Sequence, residues 1–454
     1  MRRLKALSAV AAAALVLAAC GGDDDEPETT EPEETEEPAE ETDDGEEDAA
    51  AEVATDVGVT AEPCPEAVNP DNGCIYLGTL TDLTGPFAGF GIPLTTAQEA
   101  FWARVNEMGG ITAEGANQAY DVDVTTYNES SGYDATEHAR LYEEMEPNIL
   151  ALAQTLGTPT TQAILSSLQS NNVLAVPAGY TSLFNFEDVM LEATANYCVE
   201  TMNSVDYAVE TYGIGSVMSV YYEGDYGGDA AAGAQNAAET HGLDFTAVPT
   251  TPGVENQAEA IGAIVQGQPD LVTITTGPAE TAAIVGQAVA SGYEGRFIGT
   301  NPTWNPALLG SEAAPALQAV YEVGGPFPSW DADTPGHEAM REAIGEPDDL
   351  SDGYTIGWIW QYALKAALEA ALANGDLTRA GVVEAANSLE TVDYEGMLPE
   401  GAGNYAGGPE AQIRVSQVNA VDPEAPTGIS TVQDFFTGPT AEAWEPETCY
   451  EGLE

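Results

Sequence analysis

Between residues 75 and 299, short apolar runs alternate with longer alanine-rich stretches, and this alternation limits the folds open to the chain. The segments 75–80, 121–127, 149–153, 173–176, 216–221, 271–275 and 296–299 read as strands whose apolar character is nearly continuous. The segments 95–108, 134–144, 160–169, 197–212, 227–241, 257–266 and 279–291 have helical length and period. Strands of this kind separated by helices are buried on both faces, which requires mainly parallel sheets covered on each side. Right-handed crossovers then predict doubly wound α/β units. The folded part, residues 64–454, is about 390 residues long, too many for one core, so two units are expected. One helix seam is visible directly: Ala97, Phe101, Val105 and Met108 fall on one face. The run 358–364 opens a long helix reaching 373, stopped by Asn374-Gly375, and its aromatic residues read as core.

The chain begins MRRLKALSAVAAAALVLAACGG, with a basic start and an apolar stretch from Ala6 to Leu17. That is a secretory signal over 1–19, too short to span a bilayer as a helix of about 20 residues. Leu17-Ala18-Ala19-Cys20, followed by Gly21, matches the lipobox of bacterial lipoproteins. The match implies cleavage before Cys20, diacylglycerol on its sulfur, and anchorage to the outer face of the cell membrane. Residues 20–63 form the expected linker; from 23 onward they carry 20 Asp or Glu and no Lys or Arg. So charged a segment has too little apolar surface to offset chain entropy and is expected to be an extended tether.

The remainder still holds 56 acids against 7 bases. A surface this acidic argues against nucleic acid and against docking on anionic headgroups. It suits a saline exterior, where ions screen the self-repulsion. Beyond Cys20 there are four cysteines, an even number in an exported chain. Cys64 and Cys74 are close in sequence and are expected to pair, which leaves Cys198 with Cys449. Their spacings fit no metal-binding pattern, and no cofactor is expected.

Nothing in the sequence asks for an enzyme. There is no G-x-x-x-x-G-K, H-E-x-x-H, G-x-S-x-G or C-x-x-C. His138, His241 and His337 lie among polar neighbours and read as surface residues, and carboxylates are too abundant to single out a pair. The loops leaving the strands say more, because open parallel sheets bind ligands beyond their carboxyl ends. These loops read QTLGTPTT at 154–161, PAGYTS at 177–182, YEGDYGG at 222–228, TTGPAE at 275–280 and TNPTWN at 300–305. Each alone is accounted for by helix capping. Together, in strand order, they are better explained by a shared polar pocket.

Leu80-Thr81-Asp82-Leu83-Thr84-Gly85-Pro86, then Ala88 and Gly91, resembles the P-L-T-G-P-x-A-x-x-G signature of the substrate-binding lipoproteins of ABC importers. The resemblance is to their branched-chain amino acid, amide and urea group. Asn106 to Ile111 is similar to that group's N-x-x-G-G-I, and Asp225-Tyr226-Gly227 to its x-Y-G. The resemblance implies the type I periplasmic binding protein fold, with two Rossmann-like lobes joined by three hinge crossings. It places lobe one at 72–195 plus 322–405 and lobe two at 196–321 plus 406–454. It also implies a small polar organic solute trapped between the lobes and delivered to an ABC permease. Phe90 would be the aromatic facing the pocket, with Thr158 and Thr160 at the solute's carboxylate or amide. Ala178, Tyr180 and Thr181 would lie nearby, Tyr226 and Thr276 would close from lobe two, and Asn301 would stand where amino acid binders hold the ammonium with a carboxylate. Either Glu223, Asp225 or Glu280 supplies that charge, or the solute carries no ammonium group. Asn128 to Tyr133 replaces the family's D-D-x-x-x-P, and Phe87 is left between packing in its lobe and pocket contact. An extracellular sensor of the same fold, signalling to a membrane receptor, is the alternative function.

Overall fold

The computed structural model describes residues 53–224 and 226–450. In chain order, β1 (Ala54–Thr55) and β2 (Val59–Thr60) precede a first repeat of strands and helices. It comprises β3 (Gly73–Thr81), α1 (Ala88–Glu107), β4 (Tyr120–Ser130), α2 (Ala135–Met145), β5 (Ala151–Leu156), α3 (Thr158–Asn171) and β6 (Ala175–Ala178). The second repeat runs α4 (Tyr197–Tyr212), β7 (Ser216–Tyr222), α5 (Tyr226–His241), β8 (Asp244–Thr250), α6 (Ala258–Gly267) and β9 (Leu271–Thr275). It continues with α7 (Pro278–Ala290), β10 (Arg296–Gly299), α8 (Ala314–Val320) and β11 (Tyr321–Gly325). The chain then returns to the first layer with α9 (Pro335–Ile344), α10 (Gly353–Ala373), β12 (Asp376–Leu377) and α11 (Arg379–Asn387). It ends in β13 (Ser416–Val421), β14 (Ile429–Phe436) and α12 (Pro439–Ala443).

Among the described residues two large sheets result, as the alternation demands, beside a two-stranded pair of β1 and β12. In the first, β3 lies between β4 and β5, β6 flanks β5, and all four are parallel; β2 adds antiparallel to the start of β3. The second has the order β14-β13-β11-β10-β9-β7-β8, parallel from β8 to β11 and antiparallel at β13 and β14. Strands β5, β6 and β9 are buried along their whole length, which is why their sequences are apolar runs without alternation. The chain passes between the two layers three times: before α4, after β11 and before β13.

Helix α10 is apolar on nearly every side because it is covered nearly all round, with α1 on one flank. Phe101 meets Trp358 and Tyr362 edge-on at 5.1 and 4.9 Å. Trp102 Nε1 donates to Gln361 Oε1 at 2.9 Å, and Gln361 Nε2 donates to the Ala153 carbonyl at 3.2 Å. The two helices touch backbone to backbone: a Cβ on Gly357 would lie 2.4 Å from the Leu94 carbonyl oxygen.

The structure departs from the sequence reading at four places. Residues 53–63 are no tether, since β1 runs parallel to β12 and β2 pairs with Cys74 and Ile75. The Val53, Val57 and Val59 alternation that supports this pairing was hidden by the acids around it. Strand β11 belongs to the second sheet, so the chain leaves that lobe after Gly325, not at 321. Helix α1 starts at Ala88, not 95, so Gly89, Phe90 and Gly91 are helical with Pro93 inside. His138 and His337 are fully buried, not surface residues. The His138 ring bridges Ser131 Oγ at 3.2 Å and Thr155 Oγ1 at 2.9 Å, and burial lowers both imidazoles to about 4. His241 is half-buried with Nε2 2.6 Å from Asp206 Oδ1. The disulfides are Cys64–Cys74 and Cys198–Cys449. The signal segment, Cys20 and most of the acidic run lie outside the described residues, as does Asp225.

Candidate ligand-binding site

The carboxyl ends of both sheets face one another across a cleft. From the first sheet come Phe87 and Phe90 after β3, Tyr133 after β4, Leu156 to Thr158 at the β5–α3 turn, and Ala178 at the end of β6. From the second come Tyr226 at the start of α5 and Pro302 after β10, with Tyr197 at the first crossing. The free volume is about 20 Å3, roughly room for one water, so the lobes are closed on one another.

Local chemistry aims these groups. Asp82 gathers the turn after β3, its Oδ1 accepting from the Thr84 N–H and its Oδ2 from the Phe87 N–H at 2.9 Å. That places Phe87, only 6% exposed, against Tyr133 at 4.6 Å and Tyr226 at 6.4 Å between ring centroids. Gly132 and Tyr133 both adopt left-handed backbone, φ 61° and 65°, which turns the Tyr133 ring back over the cleft. Tyr197 stacks on Tyr180 at 4.0 Å and tilts against Tyr226 at 4.9 Å. The Tyr226 hydroxyl donates to the Thr276 carbonyl at 2.8 Å, which fixes the ring face. Offset and edge-on ring pairs of this kind are mutually favourable and also present π-faces to a guest.

Of the residues singled out in the sequence, Phe90, Thr158, Ala178 and Tyr226 line this cleft. Thr158 stands at the first position of α3, 1% exposed, and its hydroxyl has no partner. The first-turn N–H groups of α3 lie beside it, so the polar spot suits a carboxylate or carbonyl. Thr160 instead donates its hydroxyl to the Leu156 and Gly157 carbonyls, within its own turn and away from the cleft. Thr276 shares a hydrogen bond with Thr281 at 3.0 Å, and Thr181 precedes the short helical turn at 182–186. Asn301 lies in a neighbouring crevice with Phe90, Trp304 and Asp352, while its neighbour Pro302 reaches the cleft. Tyr180 stands behind Tyr197.

None of the carboxylates considered from sequence reaches the cleft among the described residues. Glu223 is exposed on a turn. Glu280 is occupied by the Gly253 N–H at 2.8 Å. The residues missed in sequence were Tyr133, Leu156, Gly157, Tyr197 and Pro302; the signal for Tyr133 was its replacement of an acidic family motif.

A family model described as periplasmic binding protein matches residues 75–423. The chain belongs to that family. It is a family of extracytoplasmic solute-binding proteins that work with transporter permeases. Among solved structures, the fatty acid ABC transporter substrate-binding protein from Thermomonospora curvata is 27% identical, with 87% of this chain and 98% of that chain covered at a TM-score of 0.78. A branched chain amino acid ABC transporter from Thermus thermophilus with bound valine is 17% identical, covering 82% and 98% at 0.68. An ABC transporter substrate binding protein of Aeropyrum pernix is 16% identical, covering 84% and 99% at 0.71. The last two share the fold. None of the curated proteins matches the binding protein. Among its described residues, no helix is long and apolar enough to cross a membrane, and no cluster of three or more metal-ligating side chains occurs.

Proposed function

We propose that this binding protein is the solute receptor of an ABC importer, tethered by lipid at Cys20. It captures a small organic molecule with an apolar body and one polar end, and hands it to the permease. The observation that carries the reading is the origin of the cleft wall: Phe87, Phe90 and Thr158 come from one sheet, Tyr226 and Pro302 from the other. A solute touching both walls stabilises only the closed form, which makes closure the signal a permease can read. The aromatic lining supplies apolar surface, and Thr158 with the start of α3 supplies the polar end. Solutes named for similar proteins, fatty acid and valine, share that division into apolar chain and carboxylate.

The test is a thermal-shift screen of amino acids, amides, urea analogues and short fatty acids, followed by small-angle scattering with any hit. The expected result is a midpoint rising with the logarithm of ligand concentration and a smaller radius of gyration in the complex. Phe87→Ala should weaken the same solute by about 10-fold or more, through lost apolar contact. A ligand that raises the midpoint equally in Phe87→Ala, with no compaction, would refute the interlobe site.

A further inference from the structure

Glu200 lies in the first turn of α4, 0% exposed, and neither carboxyl oxygen has a hydrogen-bond partner. The Tyr180 hydroxyl and Thr300 Oγ1 are likewise buried without partners. Tyr180 and the Asn301 backbone N–H both bear on Glu200, though neither closes a bond of normal geometry. This pocket of unsatisfied polar atoms adjoins the cleft. Tyr197, one helical turn before Glu200, lines the cleft and stacks on Tyr180. Asn301 precedes Pro302 of the opposite wall. Tyr180 belongs to the first lobe and Asn301 to the second, so opening the hinge unroofs the carboxyl.

An ionised carboxylate without partners is costly to bury, so at this depth Glu200 is held neutral. Burial is the chief cause of its raised pKa. The groups around it are uncharged: Tyr180 after β6, Tyr197 and Ser204 on its own helix, the Asn301 backbone after β10, and Tyr321 and Gly324 on β11. Among the described residues, no Lys, Arg or His lines the cleft. Arg104, Arg140, Lys365 and Arg379 are paired with carboxylates, and Arg296, Arg341 and Arg414 donate to backbone carbonyls. Glu200 is, among the described residues, a buried carboxyl without a hydrogen-bond partner beside the cleft, and no Lys or Arg lines the cleft to match an anion's full charge.

Building on the receptor reading above, we infer that Glu200 is the charge-selecting residue of the site, that the solute carries a cationic nitrogen, and that its capture expels the Glu200 proton. The Glu200 O–H bond breaks, the proton passes to solvent through the open cleft, and the carboxylate formed pairs with the nitrogen. The faces of Tyr197, Tyr180 and Tyr226 flank the cation as π-donors. Glu200 thereby takes the role that Asn301 cannot fill.

The decisive comparison uses three molecules of nearly one shape: L-leucine, 3-methylbutylamine, which lacks the carboxylate, and 4-methylpentanoate, which lacks the nitrogen. Each is titrated calorimetrically into the intact protein at about pH 6, in buffers of different ionisation enthalpy. The expected result is binding of one or both nitrogen-bearing molecules, none of the carboxylate alone, and a net release of protons on binding. Glu200→Gln, which mimics the neutral carboxyl, should keep the unfolding midpoint of the solute-free protein yet lose at least about 30-fold in affinity. Binding of 4-methylpentanoate alone, with compaction, overturns the charge assignment and leaves the receptor reading standing. Nitrogen-bearing solutes bound without proton release, or equally well by Glu200→Gln, overturn the role of Glu200. Absence of binding by all three overturns the inference, and the compaction experiment then judges the receptor reading separately.

Discussion

At the scale of single residues, burial decides the chemistry more than residue type does. Asp352 precedes α10, where its Oδ1 accepts the Trp330 N–H at 2.9 Å and its Oδ2 the Thr427 hydroxyl at 3.1 Å. Burial raises its carboxyl from 3.8 to about 6, against those two bonds. A group with a higher pKa in the folded chain holds more protons folded than unfolded between about pH 4 and 6, so stability falls as pH rises through that window. Asp352→Asn keeps an acceptor for the Trp330 N–H, lets Nδ2 donate to Thr427 Oγ1 in place of accepting from it, and removes the titration. Urea unfolding at about pH 4.5 and 7 should show a loss on going up in pH that is smaller for Asp352→Asn, by up to about 2 kcal/mol. Equal losses in the two proteins would sink the assignment. The same principle explains why His138 was misread: neighbouring polar letters suggest a surface, but its partners Ser131 and Thr155 lie beneath α2 and are invisible until the sheet is assembled. Glu200 was missed for a related reason, since one glutamate among 76 acids has no distinguishing neighbour in sequence.

At the scale of elements, βα units were legible because strand and helix periods differ and α4, β9 and β10 coincide with their apolar runs. Strands β8, β13 and β14 were not: β8 and β14 are mostly exposed or half-buried, and β13, though mostly buried, is rich in polar residues, so the apolar signal is weak in all three. The start of α1 was obscured by Pro93, which leaves the Gly89 carbonyl without its helical N–H. Asn305 Nδ2 from the opposite lobe lies 3.3 Å from that carbonyl and donates to it. A tertiary contact thus completes what the local sequence breaks. The carboxyl-terminal segment is held by Cys198–Cys449, across 251 residues, and by the Cys449 N–H on Ser182 Oγ at 2.8 Å. Cys449→Ser should therefore lower stability by about 3–5 kcal/mol, read as a drop of several degrees in the unfolding midpoint under oxidising conditions. An unchanged midpoint would mean the bridge closes no loop that matters to unfolding.

At the scale of the molecule, a formal charge of −66 repels itself at every distance shorter than the screening length. Raising sodium chloride from about 0.1 to about 1 M should raise the unfolding midpoint, whereas sucrose of equal osmolality should raise it less. A midpoint indifferent to salt would show the charges too far apart to matter. Parallel α/β layers and the cleft's general position follow from patterns local to the chain: hydrophobic period and small residues after strands. Closure of Phe87, Tyr133, Tyr197 and Tyr226 on one another required the sheets to meet, because these rings come from four separate turns and share no sequence pattern. The isolation of Glu200 arose the same way. Its burial depends on groups more than 90 residues downstream at Asn301 and Gly324, and desolvation is a property of the assembled surroundings, which no stretch of sequence contains.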